Sequence, residues 1–177
     1  MIARTEYLSQ LIASRDNQTV KVVTGIRRSG KSFLLNDIYR PYLIENGVDE
    51  SHLISIALDL TEYADLRDPR KLQSFVLDRI VDGSSYYVFI DEIQMSFKVK
   101  ISDIDESKVA PEDRESLYLT FYDVLNSLNA RRNIDVYVTG SNSKMLSEDI
   151  STNFRGRRTE IVMHPLSFAE FYSARPQ

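Results

Sequence analysis

The sequence predicts an α/β domain with a mostly parallel sheet, and three observations predict it. Short β-branched or apolar runs alternate with helical stripes along the chain, the pattern of strands buried between helices. A glycine-rich segment, Gly25-Ile26-Arg27-Arg28-Ser29-Gly30-Lys31-Ser32, lies between the first such run and the helical stripe that begins Phe33-Leu34-Leu35. A third run, Tyr86-Tyr87-Val88-Phe89-Ile90, ends in two adjacent carboxylates, Asp91 and Glu92. At 177 residues the chain reads as one domain over 1–177, long enough to bury a sizeable core.

The glycine-rich segment fits Gly, four free positions, Gly-Lys and Ser or Thr, the phosphate-loop pattern. A strand, a loop and a helix in that order aim backbone N–H groups and the positive end of a helix dipole at one point, where phosphate binds. Gly25 and Gly30 let the backbone turn and approach phosphate oxygens, Lys31 reaches the β- and γ-phosphates, and Ser32 offers a hydroxyl to Mg²⁺. The expected nucleotide-contacting set is Gly25, Arg27, Arg28, Ser29, Gly30, Lys31, Ser32 and Phe33. The carboxylate pair resembles a Walker B strand end: Asp91 would hold the metal with Ser32, and Glu92 would orient and polarise an attacking water as general base. Taken alone such a pair reads first as solvated loop carboxylates; beside a complete phosphate loop it reads as a site.

Composition excludes several classes. There is no cysteine, so neither a disulfide framework nor a thiolate metal site can form. The formal net charge of −4 gives no overall attraction to nucleic acid. No apolar run approaches a membrane span and the N-terminus lacks the apolar core of a secretory signal, so a cytoplasmic protein without a membrane partner is expected.

In order along the chain, Tyr7, Leu8, Leu11 and Ile12 make a helical stripe over residues 4–13, with Asp16-Asn17 as a turn, so that 1–18 form an N-terminal helix and turn. That helix is expected to cover a sheet edge, closure over a nucleotide base being the alternative. Residues 20–24 are the first strand. The helix after the loop is expected to end or kink at Pro41, near Arg40, with Gly47 closing any continuation. Residues 53–58 are the second strand, and Asp59 follows it at the edge where open α/β sheets carry their sites. Asp68 and Pro69 read as N-cap and first turn of a helix carrying Leu72, Phe75, Val76 and Ile80 inward, stopped by Gly83.

Residues 96–115 mix charges with Pro111 and hold no period, which predicts a surface insertion, as a mobile loop or a β-excursion. A helix is expected from Leu117 to about Arg131. Residues 134–139 are a fourth strand, and Thr139, Ser141 and Asn142 at its end are candidates to sense the γ-phosphate; a Ser or Asn there could instead cap a helix at 144–146. Arg155, Arg157 and Arg158 precede a fifth strand at 160–163, and Arg157 is the first candidate to act across a subunit interface on a neighbour's γ-phosphate in a homo-oligomer, against a solvated face of arginines. His52 and His164 are expected to be structural. Ser167 and Glu170 form a capping box for a last helix, cut short at Gln177, which predicts the N-terminal portion of a larger protein.

The segments GIRRSGKSFLL, VFIDEIQ, VTGSNSKML and RGRRTEIVMHPLSFAEF, in this order and spacing, resemble the prokaryotic AAA-type ATPase family whose P-loop core is followed by a C-terminal domain of unknown function. The resemblance covers nearly all of the chain except the insertion. It implies a three-layer fold with a five-stranded sheet of order 5-1-4-3-2, ATP or ADP with Mg²⁺ as ligands, and hydrolysis, with Lys31, Glu92, Asn142, Thr139 and Arg157 as catalytic residues and Ser32 and Asp91 at the metal. It also implies a missing C-terminal domain and an unidentified protein partner. A nucleotide switch with negligible turnover is the alternative; a phosphotransferase is disfavoured by Glu92, since a kinase gains from excluding water.

Overall fold

A computed structural model of the chain describes residues 4–140 and 158–166. The strands form where the apolar runs predict them. β1 (Val20–Gly25), β2 (Leu53–Ala57), β3 (Tyr86–Asp91), β6 (Ile134–Thr139) and β7 (Arg158–Met163) make one sheet in the order β2-β3-β6-β1-β7, every neighbouring pair parallel. β4 (Val99–Lys100) and β5 (Tyr118–Leu119) form a separate two-stranded antiparallel ribbon. Counting only the five strands of the main sheet along the chain, the order read from the β7 edge is 5-1-4-3-2.

Central strands β1 and β6 are buried at every residue, as expected for strands covered on both faces. Successive side chains point to opposite faces and build two cores. Val20, Val22, Ile54, Ile56, Val88, Ile90, Val136 and Val138 face α4 (Pro69–Leu77) and α5 (Phe121–Asn129). Val23, Leu53, Tyr87, Phe89, Tyr137 and Ile161 face α1 (Thr5–Ser14) and the helix that follows the phosphate loop. Each such aliphatic side chain contributes about 1.5–3 kcal/mol on burial.

In several places the elements depart from the sequence expectation. The helix after the loop does not end at Pro41. It starts as α2 (Lys31–Phe33), widens into a π-helical stretch over Leu34–Tyr39 and continues as α3 (Arg40–Glu45), with Arg40 donating to the carbonyl of Leu35. Proline in a regular helix lacks one N–H and clashes with the carbonyl four residues back; the wider register ahead of Pro41 accommodates both, and Gly47 at φ 89° closes the helix. Second, the helix expected from Leu117 starts at Phe121, because Thr120 and Asp123 form a reciprocal capping box and Tyr118-Leu119 pair with β4. Third, the insertion takes the expected β-excursion form but runs on past 115 to its return strand: the β4–β5 ribbon plus 3₁₀ turns at Glu106–Lys108 and Pro111–Leu117, pinned at its base by Phe97 N–H and Ser96 Oγ on the carbonyl of Arg67. Fourth, β7 begins at Arg158, earlier than 160. Fifth, α4 ends at Leu77, short of Ile80 and of the expected stop at Gly83.

Asp68 caps α4, accepting from the Arg70 amide at 2.9 Å with Pro69 in the first turn, as the sequence predicts. α1 packs through Tyr7 and Leu11 on the β7 side of the sheet, so it covers that edge.

At the N-terminal ends of the strands lies a buried polar cluster. Lys21 Nζ is paired with Asp135, which also accepts from the Tyr137 hydroxyl at 2.6 Å and from the Asp16 amide at 3.0 Å. Tyr39 and Tyr137 share a hydrogen bond of 2.8 Å. Burial lowers the Lys21 pKa against the pull of Asp135, and burial with the nearby carboxylate pushes both phenols well above their ordinary range. The cluster sits at the strand ends opposite the phosphate loop.

Candidate functional site

Parallel strands deliver all their C-terminal ends to one edge of the sheet, and the phosphate loop and the acidic pair both lie at that edge. β1 runs into the loop at Gly25, β3 ends at Asp91 and Glu92, and β6, between them, ends at Thr139. The register pairs Val23 with Thr139 and Ile90 with Val138. Thr139 therefore lies beside both chemical elements. Its fully buried hydroxyl donates to Asp91 Oδ1 and accepts from the Glu92 amide at 3.1 Å, and the next amide, Gly140, donates to the Val23 carbonyl at 3.4 Å.

Gly25 is required where it stands. A Cβ there would lie 2.4 Å from the Met163 carbonyl oxygen and 2.8 Å from Ser29 Oγ, and its φ of 153° suits glycine. Gly30 and Arg28 turn the loop with φ of 90° and 66°. Lys31 is buried, its Nζ donating to the carbonyls of Gly25 and Ile26, each at 3.1 Å. Ser29 is buried, with its hydroxyl unpartnered. Ser32 is partly exposed, and Arg27, Arg28 and Phe33 are exposed around the loop.

Asp91 and Glu92 are both half-buried. Glu92 adopts a left-handed conformation, φ 55° and ψ 48°, uncommon for a side chain of this size. That twist breaks the strand's alternation, so that two consecutive carboxylates need not point to opposite faces. The bond to Thr139 and a bond from the Gln94 side-chain Nε2 to Glu92 Oε2 hold it. A hydroxyl and a carboxylate are hard oxygen donors of the kind Mg²⁺ takes, and one Asp91 oxygen is already oriented by Thr139, so Ser32 and Asp91 fit that ion. Among the described residues no cluster of three or more His, Cys, Asp or Glu could hold a metal by itself.

Asn142, Ser141, Arg155, Arg157, the helix expected at 144–146 and the last helix from Ser167 lie outside the described residues. Arg158 is described, in β7, 3.5 Å from Glu160. Asp59 is exposed, its carbonyl accepting from Arg67 at 3.4 Å. His52 faces Asp82 at 3.8 Å and packs at a tilt against Tyr86, ring centroids 4.6 Å apart, and His164 meets Tyr7 through its backbone.

Three residues at this edge were given no site role from the sequence. Gln94 touches Glu92; its signal was its place two residues beyond the carboxylates. Arg4 and Tyr7 reach the loop and the end of β7 from the chain's start, and nothing local in the sequence points there.

Among the described residues no helix is long and apolar enough to cross a membrane. In comparisons with known proteins, an uncharacterized protein of Haemophilus influenzae is 32% identical over 99% of this chain, which spans 38% of that protein's length. Among solved structures, C. elegans PCH-2 superposes with a TM-score of 0.53 at 12% identity, over 97% of this chain and 44% of that one. The genome packaging NTPase B204 of Sulfolobus turreted icosahedral virus 2, solved with ATP-gammaS, superposes with a TM-score of 0.50 at 16% identity, over 88% of this chain and 79% of that one. At those identities the likeness is one of fold. Residues 17–172 match the family model described as an AAA domain, and the chain belongs to that family of AAA-type P-loop ATPase domains.

Proposed function

We propose that this domain binds Mg-ATP and hydrolyses it to ADP and phosphate. The observation that carries the reading is Thr139: a single buried hydroxyl joins the strand end bearing Asp91 and Glu92 to the strand beside the phosphate loop. In this scheme the loop N–H groups and Lys31 hold the β- and γ-phosphates, and Ser32 and Asp91 hold Mg²⁺. The ion, when bound, neutralises charge on the phosphate oxygens. Glu92 accepts a proton from the attacking water, with Gln94 and Thr139 keeping its carboxylate and backbone in place. Asn142 contacts the γ-phosphate, since the one proton of the Thr139 hydroxyl already goes to Asp91, and Arg157 from a second copy supplies transition-state charge. The presence of a bound ATP analogue in the viral packaging NTPase of similar fold supports the nucleotide assignment.

The test is phosphate release with Mg-ATP beside a Glu92→Gln variant, with nucleotide affinity measured on both. Retained affinity with turnover reduced about 10²–10⁴-fold is the expected result, the range for a lost general base. Equal turnover would remove Glu92 from the chemistry, and tight binding without turnover in the parent chain would make the domain a nucleotide switch. A rate per molecule that rises with protein concentration, and is abolished by Arg157→Ala, would place that arginine in trans.

A further inference from the structure

Arg4 is an arginine buried to 5% exposure, in a left-handed backbone conformation with φ 43°, at the very entry to α1. Two costs are visible: desolvation of a permanent cation and an uncommon backbone geometry for a long side chain. What accompanies them is a set of contacts on the phosphate loop. Nη2 donates to the Ser29 carbonyl at 2.5 Å and to the His164 carbonyl at 2.9 Å, and the guanidinium stacks 5.1 Å from the Tyr7 ring centroid. Tyr7 Oη in turn accepts from the His164 amide at 3.1 Å.

The geometry matters because of which carbonyl is held. Ser29 precedes Gly30 and Lys31, so fixing its C=O fixes the peptide plane whose N–H belongs to Gly30. A phosphate loop works through N–H groups aimed inward, which requires its carbonyls to be turned outward and satisfied elsewhere. On the other side the loop start is pressed by β7, since Met163 O approaches the position of a Gly25 Cβ. Arg4 joins the end of that same strand, at His164, to the far end of the loop.

We infer that Arg4 is a positioning residue of the nucleotide site: through the Ser29 carbonyl it holds the loop amides in the orientation that receives the β-phosphate, and through His164 it ties that orientation to β7. The inference rests on the phosphate-loop reading above, but it concerns the loop's shape and is measurable without turnover.

The experiment compares Arg4→Ala and Arg4→Lys with the parent chain in Mg-ADP affinity and in hydrogen exchange of the amides of 26–30 without nucleotide. Arg15→Ala is the control for general destabilisation, since it removes a guanidinium bonded to Tyr87 at the opposite strand ends. The expected result for Arg4→Ala is Mg-ADP binding about tenfold weaker, roughly 1.4 kcal/mol, with exchange about tenfold faster and confined to the loop. Arg4→Lys, which keeps the cation and can reach at least one carbonyl, is expected to recover part of both. Arg15→Ala is expected to lower the melting temperature and leave affinity within twofold.

Affinity within twofold of the parent for Arg4→Ala, or loop exchange unchanged in it, overturns the inference. If Arg4→Ala does not fold, Arg4→Lys decides: parent affinity and parent loop exchange together overturn the inference, and a threefold or larger loss in either supports it. If the parent chain binds no Mg-ADP, the nucleotide reading fails by itself, and loop exchange still decides whether Arg4 holds the loop.

Discussion

Thr139 is where the candidate site can be probed with the smallest change. Thr139→Val replaces a hydroxyl by a methyl of similar volume, leaving the Glu92 amide without its acceptor and Asp91 without its donor. An unpaired buried group costs about 1–3 kcal/mol. Set against transition-state alignment, that corresponds to turnover reduced on the order of 10–100-fold with nucleotide affinity little changed. Thr139→Ser, which restores the hydroxyl, should recover most of the rate; a parent-like rate in the valine variant would show that the Asp91 and Glu92 geometry does not depend on this bond. At this scale the sequence picked out Gly25, Lys31, Ser32, Asp91 and Glu92 as candidates, because motif spacing reports local backbone chemistry, and the structure sets their segments at one sheet edge. Arg4 was not, since its partners Ser29 and His164 lie far along the chain and only packing brings them together.

Among elements, α4 offers a clean measurement. Asp68 caps it, and hydrogen bonds from the Arg70 side chain and amide hold the Asp68 pKa below the ordinary carboxylate value. Asp68→Ala is expected to lower stability by about 1 kcal/mol, read by denaturant unfolding near neutral pH. The sign with pH follows from the depressed folded-state pKa. The contribution is present above the unfolded value near 4 and is lost as pH falls through the folded one, so parent and variant should converge in acid. The elements also show where local reading stops. Asp68-Pro69 named the start of α4 because both signals act within one turn. Pro41 was expected to end or kink the helix; it continues through a π-helical stretch to Glu45, closed by Gly47, because apolar contacts of Leu34, Leu35, Tyr39 and Leu43 with the sheet outweigh the local penalty. Leu117 carried a helical apolar pattern yet belongs to the excursion, whose return strand pairs with β4.

For the whole molecule, the buried cluster of Lys21, Asp135, Tyr137 and Tyr39 predicts alkaline behaviour. Both phenols are pushed up in the folded state, so the stabilisation they report is complete below the unfolded phenol value of about 10 and is lost as pH rises above it. Lys21, lowered by burial, acts in the opposite sense and only below its ordinary value of about 10.5, so the loss should dominate above that pH. Tyr137→Phe should reduce neutral-pH stability by about 1–3 kcal/mol, through the lost bond to Asp135, and flatten the alkaline decline; an unchanged decline would remove the cluster from its cause. The cluster also marks the boundary of sequence reading. Lys21 in an apolar run and Asp135 in another give no sign of each other until β1 and β6 pair with Lys21 opposite Tyr137. By itself the sequence determined which runs become the five strands of the main sheet and where the phosphate loop and the acidic pair lie, because periodicity and motif spacing act over a few residues; the alternation of strands with helices added that those strands run parallel. Only the tertiary structure decided that Thr139 bridges to the acidic pair, that Glu92 twists into a left-handed turn, that the insertion is a β-ribbon and that Arg4 reaches the loop, because each depends on strand register and packing between residues distant in the chain.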